Sequence, residues 1–190
     1  PSTTTIPPNG QIAKFLDQAP FSQTAIFRGT FTFNSSIPVS AVALRGLTNQ
    51  RSEFLITTLP VADLSASSIF PLIFPHYADG GGWTTQLVLV NPTDLPINGS
   101  IQFFGQMSVA ALPETISISR RLGLFDYNIP PRSSRRLVTG GQGENTEAGW
   151  ILVSPTGGSL APSGLTVFSF QRGGITLSEA GLSAVQSGTA

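Results

Sequence analysis

The chain has 190 residues, of which 11% are charged, and its acids and bases balance at a formal net charge of zero. A neutral, charge-poor surface excludes the electrostatic footprint of a nucleic-acid or anionic-membrane binder. Cysteine is absent, which removes disulfides, thiolate metal sites and thiol nucleophiles, and no stretch reaches the ~18 apolar residues of a membrane span. The 20 glycines and 15 prolines punctuate the chain too often for helices of ordinary length. Between them lie short runs rich in Val, Ile, Phe and Thr, the spacing of a sandwich or barrel.

Taken in order, Pro1 to Thr5 has neither the basic start nor the apolar run of a signal peptide. The expectation is a secreted, extracellular or cell-surface protein whose signal has already been removed. Gln11 to Gln18 admits a helical turn or a strand. Ala25 to Phe33 alternates, with Phe27, Phe31 and Phe33 on one face, as one buried and one wet sheet face require. Val39 to Leu44 reads as an inner strand and Phe54 to Leu59 as its successor. Ala62 to Ser68 is small, polar and aperiodic, a linker. It divides the chain into residues 1–64 and 65–190.

The second part opens with Ile69 to Pro75, followed by a loop from His76 to Trp83. Thr84 to Val90 is a strand closed by Asn91-Pro92, Asn98-Gly99 reads as a turn, and Ile101 to Phe104 as the partner strand. Met107 to Ala111 is ambiguous; Thr115 to Ser119 and Leu122 to Ile129 alternate. A polar tail follows Val185.

The chain also repeats itself. Ile129-Pro130-Pro131 matches Ile6-Pro7-Pro8, Ala148 to Val153 matches Arg28 to Phe33, Leu165 to Arg172 matches Val39 to Arg45, and Ile175 to Leu182 matches Phe54 to Pro60. The copies are unequal. Strands over 69–128 precede the second Ile-Pro-Pro, whereas only Pro1 to Thr5 precede the first. A half sandwich leaves sheet edges unpaired and an apolar face wet. Three completions are open: an upstream segment, strands given by a neighbouring copy, or packing of both parts into one sandwich.

Phe74-Pro75-His76-Tyr77-Ala78-Asp79-Gly80-Gly81-Gly82-Trp83-Thr84-Thr85, with Leu87 to Pro92 behind it, resembles the tandem Ig-like β-sandwich repeats of secreted bacterial surface proteins. A Gly-Trp-Thr-Thr opening, an Asn-Pro strand end, an Ile-Pro-Pro hinge and a closing Glu-Ala-Gly, here Glu179-Ala180-Gly181, carry that resemblance. It implies an all-β fold of two Ig-like antiparallel β-sandwich modules; the unequal repeat makes the first the one open to completion by another chain or segment. It also implies a role without catalysis.

The chemistry-bearing residues point the same way. His76 is the sole histidine, and a Ser-His-Asp triad would have to combine it with Asp79; no Gly-X-Ser-X-Gly elbow accompanies it. Asp79-Gly80-Gly81-Gly82 precedes a strand, and the only lysine is Lys14, so a phosphate loop is disfavoured. The same loop, flanked by Tyr77 and Trp83, could hold a sugar. Tyr77, Trp83, His76 and Asp79 are therefore the candidate ligand-binding residues, with a glycan as the ligand class. No residue pattern calls for a metal or cofactor. Phe27, Phe31 and Phe33 of the incomplete part need a cover and are the candidate assembly interface. The leading expectation is a structural subunit of a fibre or surface layer that self-associates through sheet edges. A carbohydrate-binding or adhesin module is the alternative, and an enzyme is not expected.

Overall fold

The structure, a computed structural model, describes residues 2–24, 29–62, 64, 68–105 and 124–187. The chain divides into two compact units, Pro1–Phe31 and Thr32–Ala190. The ambiguous stretch Met107 to Ala111, the alternating stretch Thr115 to Ser119, Phe27 and four residues of the Ala62–Ser68 linker lie outside the described residues.

The second unit is antiparallel β-sheet throughout its described elements, as its period-two patterning demands. In chain order the strands are β1 (Ala43–Thr48), β2 (Phe54–Leu59), β3 (Leu72–Asp79), β4 (Trp83–Val90), β5 (Ile97–Gly105), β6 (Phe125–Ile129), β7 (Ser134–Val138), β8 (Glu147–Pro155), β9 (Ser163–Arg172), β10 (Ile175–Ser183) and β11 (Val185–Gln186). One sheet has the order β10-β9-β4-β7, a second β11-β3-β8-β5-β6, and β1-β2 forms a hairpin of its own. Thr85, Leu87 and Leu89 of β4 alternate inward, as do Ile97, Ile101 and Phe103 of β5 and Ile151 and Val153 of β8. Together with Phe74, Tyr77, Tyr127, Ile129 and Phe168 they form one core between the two larger sheets, a β-sandwich.

Two expected turns are strands. His76 to Asp79 continue β3, and the loop shrinks to Gly80-Gly81-Gly82, all with positive φ. A bulge between Phe74 and Tyr77 absorbs Pro75, which has no amide to give to the ladder. Asn98-Gly99 lies inside β5, with Gly99 opposite Tyr127. Glycine is needed there for closeness, not turning: a Cβ would stand 2.2 Å from Ser154 O and 2.4 Å from the Tyr127 hydroxyl.

In the first unit, Pro1–Phe31, no described residue is in a strand or helix. It holds turns instead: Gly10 N donates to Pro7 O at 2.9 Å, and Gln23 N to Leu16 O at 2.8 Å. Phe21 and Phe31 meet edge-on at 5.0 Å. The strand expected over Ala25 to Phe33 is not formed by its described part. The repeat supplies the physical reason. Its match in the second copy is β8, which lies between β3 and β5, and no described strand takes those places beside residues 29–33. Ile12 to Leu16 follows the first Ile-Pro-Pro as Arg135 to Val138 follows the second, and Arg135 to Val138 lies in β7, held by β4. A strand without a partner leaves its backbone donors and acceptors unsatisfied.

Both tyrosines of the chain lie in the core, and their hydroxyls are buried without a partner. Burial pushes each up to about 12; for Tyr77 the charges of Glu147 and Asp79 add to it. A pKa raised in the folded state means that stability is complete below the unfolded value near 10 and falls as pH rises through the folded one. Absorbance at 295 nm should therefore show almost no tyrosinate until the pH passes about 11, while the denatured chain titrates near 10. A native titration centred at 10 would contradict the burial of both rings.

Candidate functional site: the β1-β2 hairpin and its socket

The Gly-rich loop is the first place to look for a ligand, and its side chains are turned to structural use. Tyr77 is fully buried, edge-on to Phe103 at 5.4 Å, so it offers no ring face to a ligand. Trp83 is half-buried and packs against Phe170 at 4.9 Å. Asp79 Oδ1 accepts the Gly141 amide at 2.7 Å, fastening the loop to its neighbour. His76 is exposed beside Phe168, at 5.2 Å. Thr85, not singled out in the sequence, is the clamp of the Gly-Trp-Thr-Thr stretch. Its hydroxyl accepts from Ala78 N at 2.9 Å and donates to Ala78 O at 2.7 Å, tying β4 of one sheet to β3 of the other.

The other recurrent motifs also resolve into contacts. Buried Asn91 donates from Nδ2 to Leu95 O, Ile129 O and Pro130 O at 2.7–2.9 Å, and its Oδ1 accepts from Thr93 N at 2.9 Å. The Asn-Pro strand end thus holds the Ile-Pro-Pro hinge. Trp150, another residue that sequence reasoning passed over, stacks on Phe104 at 4.0 Å and 7° across β8 and β5.

Glu179-Ala180-Gly181 is a socket for the hairpin. Glu179, whose side chain is 6% exposed, accepts Arg45 Nε at 3.0 Å and Arg45 Nη2 at 3.3 Å, and also the Ser169 hydroxyl at 2.9 Å. Gly181 lets the β2 backbone close in: a Cβ would stand 2.3 Å from Thr58 O. At the β10 bulge beside Thr176, the hairpin turn substitutes for a strand. Asn49 Nδ2 donates to Thr176 O at 2.9 Å, and Thr176 N donates to Gln50 Oε1 at 2.9 Å. Asn49 also shapes the turn, its Oδ1 accepting the amides of Arg51 and Glu53. Its hydrogen bond to Glu53, with Arg51 next in effect, holds the Glu53 carboxyl below the usual carboxylate range.

The hairpin is a second edition of β9-β10. Counting from the turns, Thr48 opposite Phe54 corresponds to Arg172 opposite Ile175. Gly46 then corresponds to Phe170, Arg45 to Ser169 and Leu44 to Phe168. The sequence match of Arg45 with Arg172 is therefore out of register. Phe168 faces the sandwich core. The same face of the hairpin is bare: Val42 is 76% exposed, Leu44 61%, Phe54 63% and Ile56 59%. The opposite face, with Arg45 and buried Thr57, lies toward β10. The hairpin thus docks by its outward side and presents its core side to solvent. A protein-family scan and a search of curated proteins returned no match for this chain.

Of the residues proposed from sequence as an assembly face, Phe31 is 51% and Phe33 46% exposed. The larger bare patch lies in the next strands of the repeat. Among the described residues no group of three or more His, Cys, Asp or Glu could hold a metal ion, and no helix is long and apolar enough to cross a membrane.

The socket makes a specific demand on Gly181. Replacing it by Ala forces a clash with backbone and should weaken hairpin docking by roughly 2 kcal/mol, the cost typical of overpacking. Amide exchange should accelerate over Phe54–Leu59 and stay unchanged in β8 and β9. Equal protection in parent and variant would show that the close approach does not hold the hairpin.

Proposed function

We propose that this chain is a non-catalytic structural protein, a β-sandwich subunit of an extracellular fibre or surface assembly joined through sheet edges. The observation that carries the reading is the β1-β2 hairpin, with a core-type face in solvent and an outer edge that no described strand pairs. Long apolar edges invite another chain, and proteins that stay apart blunt them. Edges of the two larger sheets are blunted at β7, β6 and β11. β7 carries Arg135 and Arg136, Arg135 donates to Asp126 O on β6 at 3.0 Å, and β11 is two residues long. The one charge on β1, Arg45, is occupied by Glu179.

The extracellular setting rests on the charge-poor, Ser- and Thr-rich composition and on the resemblance to bacterial surface repeats. The absence of catalysis rests on the loop: Tyr77 and Asp79 are used to hold the fold. The same placement leaves the glycan reading without a specific observation in its favour.

Sedimentation velocity over about two decades of concentration, chosen to span micromolar association, tests the edge. The parent should shift to larger species as concentration rises. Leu44→Glu combined with Ile56→Glu should remain a monomer with parental circular dichroism, since both positions are exposed. A parent that stays monomeric throughout would eliminate self-joining through this edge.

A further inference from the structure

The edge-joining reading leaves open what fits the edge best, and the hairpin's twin answers it. β9, the twin of β1, pairs on one side with β10 and on the other with β4. The β4 ladder sets Trp83 opposite Phe170, Thr84 opposite Ser169, Thr85 opposite Phe168 and Gln86 opposite Val167. Transferred by the register equivalence, the same strand would lie antiparallel along the free side of β1. Its Trp would fall opposite Gly46, its second Thr opposite Leu44 and its Gln opposite Ala43.

One substitution between the twins strengthens this placement. Phe170, which packs against Trp83, is replaced by Gly46 in β1. That position is not bare of aromatic surface, because the Phe54 ring covers it: a Cβ on Gly46 would stand 2.7 Å from Phe54 Cζ. The aromatic partner has moved from one strand of the hairpin to the other. An incoming Trp would still meet a ring, with the second Thr of the pattern over Leu44 and the following Leu over Val42.

We infer that the β1 edge is an acceptor site for a strand of the β4 pattern, an aromatic followed by Thr-Thr and alternating aliphatics, supplied by another protein chain and added antiparallel in the β4-on-β9 register. The proposal rests on the edge-joining reading and narrows it to one occupant. Main-chain hydrogen bonds would hold the strand, and the face set by Leu44, Phe54 and Ile56 would select it.

The test uses the full chain and a synthetic peptide of residues 82–92, labelled for fluorescence anisotropy. The peptide should bind saturably and reverse the self-association expected in sedimentation. A Trp83→Ala peptide, and Leu44→Glu in the protein, should each weaken binding by about tenfold. Register is read by cross-linking, because the chain has no cysteine of its own. With oxidised glutathione as oxidant, a Thr85→Cys peptide should join Leu44→Cys protein. A Gln86→Cys peptide, one residue along and on the opposite face, should not. Self-association that persists at saturating peptide, or a scrambled peptide binding as well as the native one, would overturn the acceptor site while leaving edge joining intact. Specific, register-true binding by a protein that never self-associates would support the acceptor site and remove self-joining instead. Equal cross-linking by both cysteine peptides would refute the stated register.

Discussion

A β-strand cannot satisfy its own backbone. Every amide and carbonyl that leaves water must find a neighbour, and in a sheet that neighbour lies far away in sequence. This constraint sorts the two copies of the repeat. In the second copy β3, β4 and β5 stand ready, so β7 pairs with β4, and β8 lies between β3 and β5. In the first copy the matching segments have similar apolar patterning but no described strand beside them, and their described residues hold turns and extended coil. Only β1 and β2 need nobody else, because each completes the other.

The same constraint explains which features could be read from the sequence. The all-β character, the strand over Thr84 to Val90 and the span of β10 follow from local pattern, and they match the structure. His76 to Asp79 and Asn98-Gly99 misled because Pro and Gly signal both turns and strand irregularities. The bulge that absorbs Pro75, and the Tyr127 ring that demands Gly99, are set by strands elsewhere in the chain. The candidate site was only partly legible. Tyr77 stands beside a glycine loop in sequence yet points into the core. Arg45 was visible as a strand-end arginine, but nothing local marks Glu179 as its partner. The exposed patch of Leu44, Phe54 and Ile56 looks in sequence like ordinary core, since hydrophobicity alone does not say whether the opposing sheet is present.

The recurrent motifs share a second trait: their chemistry is spent inside the protein. Asn91 satisfies three carbonyls around the Ile-Pro-Pro hinge. Thr85 bridges the sheets, and Glu179 with Gly181 receives the hairpin. Each is a polar or small residue whose partner is distant in sequence, so replacing it would leave buried groups unpaired or closely packed backbones in collision. What the described hairpin turns outward is an unpaired backbone edge and an apolar face.

One closure in the sandwich bears on mechanics. Where the chain enters β3 and where it leaves β11, the two stretches lie side by side: Leu72 is opposite Gln186, Ile73 opposite Val185, and Ser187 N donates to Pro71 O at 2.9 Å. Tension arriving through one and departing through the other would peel this short pair open a bond at a time instead of shearing a long ladder. The sandwich would then hang from the load path as a pendant, and the pair at its neck would yield before the core felt the pull.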